Sequence, residues 1–135
     1  MARIEFSHIH SYKTTQEGIP LAVVLKSGDE TVDLLAHIDT GASSCLFACE
    51  QGEMLSLDIE AGEPKVFQTA TGRLHTFGHV VTLETFGIGF ESMVYFFADE
   101  RINKNLLGRV GWLDRLRFGL IEHDQLLYLA SYDFL

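Results

Sequence analysis

Apolar and polar residues alternate along this chain in short runs, and Gly- or Pro-containing breaks separate the runs. Ile19 to Leu25 and Thr31 to Ile38 have strand length, and Ser27-Gly28-Asp29-Glu30 between them has turn composition. Val66-Phe67 on one side, and Phe77 with Val80-Val81-Thr82-Leu83 on the other, enclose the polar stretch Gln68 to His75, which reads as a hairpin with a Gly-containing tip. Val80 to Phe86 and Ser92 to Phe97 would pair through Gly87-Ile88-Gly89, and Leu126 to Ala130 is a late strand. Ile4, Phe6, His8 and His10 alternate more loosely. Leu46 to Leu57 suits a short helix and a loop, closed by the break Gly62-Glu63-Pro64. Val110, Leu113 and Leu116 stand three apart, which predicts one apolar face of a short helix near the C-terminal end. Many strands at short spacing with one late helix predict a mostly β fold, a small closed or half-closed barrel.

At 135 residues the chain is expected to form one domain over residues 1–135, and 47% hydrophobic content supplies its core. A net charge of −9 argues against nucleic acid, which needs clustered Lys and Arg, and reads as a solubilising surface. The first six residues lack the apolar core of a signal peptide, and no apolar stretch approaches the roughly 20 residues needed to span a membrane. The expectation is a cytoplasmic protein with no membrane partner. Cys45 and Cys49, spaced as on one side of a helical turn, have no His nearby, so free thiols are expected rather than zinc. The six histidines show poor ligand spacing, and neither metal nor cofactor is expected.

The chemistry concentrates at Asp39-Thr40-Gly41, which ends the apolar run Val32 to Ile38 and precedes Ala42-Ser43. A buried strand would carry Asp39 into a poor dielectric, where an ionised carboxylate needs compensation. Alone, the triplet reads more readily as a strand ending in a turn. The second element is Asn105-Leu106-Leu107-Gly108-Arg109, alone an ordinary strand-to-helix junction. No second Asp-Thr-Gly or Asp-Ser-Gly exists, and Asp99, Asp114 and Asp124 lack the following Thr/Ser-Gly.

Taken in order, the triplet, the hairpin and the Leu-Leu-Gly-Arg element resemble the retropepsin-like aspartic proteases, the retroviral-type, single-lobe enzymes, over roughly Leu21 to Leu129. The resemblance implies the acid-protease barrel with a short C-terminal helix. It makes Asp39 catalytic, with Thr40, Gly41, Ala42, Leu107, Gly108 and Arg109 as support and Ala70, Thr71 and Gly72 as the tip of a flap over the substrate. In that family Gly leaves room for the strand crossing beside the catalytic loop. One triplet per chain implies a homodimer in which two Asp39 carboxyls share a proton and activate water against a peptide or protein substrate. The apolar segment Leu126 to Leu135, with the strand around Ile4 and Phe6, would contribute to the dimer contact or else close its own barrel. One position departs from the family. Many retroviral enzymes carry an acid where Ser43 stands, paired with the Arg of the Gly-Arg element. The alternative function is a non-catalytic peptide- or protein-binding dimer of the same fold.

Overall fold

The alternation predicted above becomes a ladder of antiparallel hairpins in the computed structural model, which describes all residues from Met1 to Leu135. Strands β2 (Ile19–Ser27) and β3 (Glu30–Ile38) pair along their whole length around a two-residue turn, where Gly28 takes the left-handed φ of +58°. Period-two burial follows. Leu21, Val23 and Leu25 point into the core, as do Val32 and Ala36. Strand β4 is Leu46–Phe47, and the short helix α1 (Cys49–Met54) lies within the segment expected to hold one.

Strand β5 (Glu63–Thr69) turns through Ala70-Thr71 into the long β6 (Gly72–Thr85), which pairs with β7 (Ile88–Phe97). With β8 (Leu106–Leu107), seven strands run in the order β2-β3-β8-β4-β7-β6-β5. An added pairing of β2 with β6, from Val24↔Glu84 to Lys26↔Thr82, closes six of them into a ring and leaves β5 outside it. Lys26 Nζ and Glu84 Oε2 form an ion pair of 2.8 Å at that seam. Phe47, Phe96, Leu83 and Trp112 fill the interior. The Trp112 indole N–H donates to Thr85 Oγ1 at 3.2 Å, so its one polar atom is satisfied while fully buried.

A second sheet has the order β1-β10-β9, with β1 (His8–Ser11), β9 (Leu116–Ile121) and β10 (Leu126–Ser131). Leu127, Leu129 and Ala130 are fully buried in it, so residues 126–131 close the chain's own core. His8 and His10, two apart on β1, share one face, and both rings pack on Phe86.

Two sequence expectations need correction. The late helix is only a single 3₁₀ turn, Leu113–Arg115. Gly111 takes φ +100° and donates to Asp114 Oδ1, which ends any helical run, and Leu116 enters β9 instead. Strand β9 itself was not anticipated. Cys45 and Cys49 do not share a helical turn, because Cys45 precedes β4 and Cys49 begins α1; both are buried free thiols. No helix is long and apolar enough to cross a membrane.

Leu129→Ala should therefore cost about 2–5 kcal/mol of stability in urea unfolding, the usual price of a core cavity. Tyr132→Ala, at an exposed side chain just past β10, should change stability by under roughly 0.5 kcal/mol.

Candidate active site

The site is built on a crossing of two backbone segments. Strand β3 ends at Ile38, and Asp39 N–H donates to the Leu107 carbonyl at 2.9 Å, extending the parallel pairing of β3 with β8. The chain then turns, with Ala42 N–H on the Asp39 carbonyl at 3.1 Å. Residues 42–44 next pass over residues 108–110. Arg109 N–H donates to the Ala42 carbonyl and Val110 N–H to the Ser43 carbonyl, both at 2.9 Å, and Gly108 N–H points at Cys45 Sγ at 3.4 Å. A Cβ at position 108 would fall on the Ser44 carbonyl, so glycine is the side chain that permits the crossing. Gly41 N–H donates to Asp39 Oδ1 at 2.9 Å and fixes the direction of the carboxylate.

The predicted residues come together, with different exposure from that expected. Asp39 is half-buried rather than sunk in the interior. Strand β3 carries the exposed Asp33 and Leu35 on one face, and its end opens onto a cleft instead of entering the core. Thr40 and Gly41 are exposed and Ala42 is half-buried. Leu107 and Gly108 are buried, whereas Arg109 is exposed and forms no ion pair with any acid of its own chain.

The flap expectation and the triplet meet across a cavity of about 740 Å³. Asp39, Gly41 and Ala42 form part of its floor, and Phe67, Thr69, Thr71 and Leu74 of the β5–β6 hairpin face them. Of the three tip residues, Thr71 lines the cavity, while Ala70 and Gly72 make the turn beside it. The hairpin root is fastened by Thr76 Oγ1 donating to the Lys65 carbonyl at 2.8 Å and by the Phe67 ring meeting Tyr95 edge-on. On the other side of Asp39 lies a second cavity, of about 630 Å³, bordered by Glu17, Leu35, His37 and Lys104.

The sequence reading missed the loop 99–105, which forms another wall of the cleft. Asp99 accepts from Arg101 Nε at 3.0 Å, Nη2 at 2.9 Å and the Arg101 backbone N–H at 2.9 Å. These bonds to Arg101 hold the Asp99 carboxyl well below the ordinary value, at about 2. Because the folded value is depressed, the fork is intact at and above ordinary carboxylate pH and loosens only as pH falls through that value. At the other end, Asn105 Nδ2 donates to the Leu35 carbonyl at 3.3 Å and its Oδ1 accepts from Ala48 N–H at 3.0 Å. The Asp-x-Arg spacing was a readable signal for the first staple. Asn105 gave none.

Burial pushes both thiols up to about 11, aided at Cys49 by Glu53, so neither is a thiolate at neutral pH. No group of three or more His, Cys, Asp or Glu side chains converges on one point.

Comparison with known proteins places this architecture. Neither protein-family models nor curated protein sequences yield a match. Among solved structures, a retropepsin-like aspartic protease from Rickettsia conorii superposes with a TM-score of 0.63 at 18% identity, covering 92% of this chain and 99% of that one. EIAV protease, solved with the inhibitor HBY-793, gives a TM-score of 0.53 at 19% identity over 67% of this chain and 80% of that one. The fold is that of the retropepsin-like aspartic proteases.

Gly108→Ala should lower stability by about 3 kcal/mol or more, since the added methyl meets backbone rather than a flexible side chain. Thermal unfolding of the purified variant measures it.

Proposed function

We propose that this chain is an aspartic-type endopeptidase acting as a homodimer, with Asp39 of each copy in one shared site. The observation that carries the reading is the Asp39 carboxylate, aimed by Gly41 N–H into a cleft that a β-hairpin roofs. One chain supplies one such carboxylate, and hydrolysis by activated water needs a base and an acid together. Two copies of Asp39 brought close across a twofold axis would not both ionise, so the pair would hold one proton. The ionised member takes a proton from water, and the protonated member hydrogen-bonds the substrate carbonyl. Water attacks, a tetrahedral intermediate forms, and protonation of the amine completes cleavage.

Other residues fit supporting roles in this reading. Thr40, exposed beside Asp39, is available to bond across the dimer. Gly41 offers backbone to the substrate, and Thr71 covers it. Arg109 and the 61%-exposed Val110 lie on the same outer surface as Thr40, where a second copy would meet them.

Asp39→Asn should lower peptide hydrolysis by roughly 10²–10⁴-fold or more while leaving the fold intact, because the amide oxygen can still accept from Gly41 N–H. Unchanged turnover in that variant would remove the assignment. Specific activity should also fall on dilution below the dimer dissociation constant, and deleting Tyr132 to Leu135 should weaken association. A strictly monomeric protein that hydrolyses peptides would refute the shared site.

The pH profile should be bell-shaped, because only the singly protonated pair works, and both limbs belong to the pair rather than to either residue. A rate flat from acidic to neutral pH would contradict it.

A further inference from the structure

Charge is distributed unevenly between the cleft and the rest of the chain. The protein carries 19 acidic and 10 basic residues, yet the charged residues of the main cavity are Asp39, Arg101 and Lys104. Thus the only acid there is the proposed catalytic one. The two cations differ in availability. Arg101 is committed, because its guanidinium grips Asp99 through two bonds. Lys104 forms no ion pair and no hydrogen bond through its ammonium group, and it borders the cavities on both sides of Asp39. In the second cavity the acid Glu17 lies 3.6 Å from His37 Nε2 and is largely exposed.

The loop that presents Lys104 is held at both ends. The Asp99–Arg101 fork fixes its start, and Ile102 N–H adds a bond to the Asp99 carbonyl at 3.1 Å. Asn105, the next residue after Lys104, is tied to Leu35 and Ala48. The backbone of residue 104 is therefore preorganised, and only its side chain must be ordered on contact. Lys104 is exposed in the free chain, and a peptide lying in the cleft would shield it from solvent.

We infer that Lys104 is a specificity-determining residue which selects peptides bearing an acidic side chain next to the bond over Asp39. This rests on reading the cleft as a peptide site. The preference is local and opposes the net charge of −9, which by itself would repel acidic peptides.

The test uses octapeptides that share one neutral scaffold and differ at a single position beside the scissile bond, carrying Glu, Gln or Lys. At about pH 6 a Glu side chain is ionised. The wild-type protein should cleave the Glu peptide with kcat/KM roughly two- to fivefold above the Gln peptide, and the Lys peptide should be slowest. Lys104→Glu should reverse the order of the Glu and Lys peptides, and Lys104→Met should bring them close to parity. Lys13→Glu changes the net charge by the same amount at an exposed position outside both cavities and should keep the wild-type order. Equal cleavage of Glu and Lys peptides by the wild type would overturn the assignment, as would an equal reversal in Lys13→Glu. If no peptide is cleaved, the peptidase reading falls, and binding of the same peptides is measured by fluorescence anisotropy. Tighter binding of the Glu peptide, lost in Lys104→Glu, would sustain the role of Lys104. Binding without preference, or no binding, would overturn both.

Discussion

Everything at this site depends on two peptide segments passing within backbone contact of each other at Gly108. Interiors leave no room for such an approach when a Cβ intervenes, and here the space is taken by the Ser44 carbonyl. The contact is bonded as well as close. Leu107 accepts from Asp39, and Ala42 and Ser43 accept from Arg109 and Val110, so the polar groups of both segments are satisfied by each other. The position of Asp39 is thus set by main-chain bonds on strands rooted in the core. Its side chain is left free of any ion pair within the chain. A carboxylate held this way can sit half-exposed at a cleft floor without wandering, which a charge tethered by its own salt bridge could not do and still react.

The flap has the opposite construction. Beyond its root the β5–β6 hairpin is a two-stranded ribbon, with most of β5 exposed. An isolated ribbon is marginal in water, so this one depends on its base. There β6 continues into pairing with β7 and then β2, and the buried Gly78 lets Tyr95 and Met93 close on the strand. Lys65 lies over both the Phe67 and Tyr95 rings, 4.9 Å from each centroid, joining the ribbon to β7. Rigid floor and anchored but thinly supported roof place the low-stability segment over the cleft where the proposed substrate would enter.

Much of this was legible in the chain. Gly28 and Gly87 sit at the turns where alternation breaks, and the segments around Ala70-Thr71 paired as a hairpin. The triplet and the Leu-Leu-Gly element were readable because a close crossing demands glycine and a short side-chain run. Three things were not legible. Apolar residues three apart at Val110, Leu113 and Leu116 fit a helix face, but the left-handed Gly111 and its bond to Asp114 redirected them into a turn and a strand. Strand β9 was obscured by Gly119, which is small because the Phe6 ring packs where its side chain would stand. Asn105 bridges positions 70 and 57 residues away, a pairing that no local spacing encodes.

The exposure of Asp39 also bears on the proposed reaction. A single carboxylate deep in the interior would be held neutral by desolvation and make a poor base. On the cleft floor Asp39 is half-exposed instead. The proton-sharing that the reaction needs then has to come from a second like charge rather than from burial. Within the chain, the other titratable groups bordering the two cavities are Glu17, His37, Arg101 and Lys104. Glu17 lies against His37, and Arg101 grips Asp99. Lys104 brings a positive charge, not a second carboxyl. None of these supplies the missing acid. The surface that carries Thr40, Arg109 and Val110 is open beside Asp39, and Arg109 there has no acid of its own chain, since Ser43 stands where many retroviral enzymes place one. The same surface that lacks an internal partner is the one across which a second Asp39 would arrive.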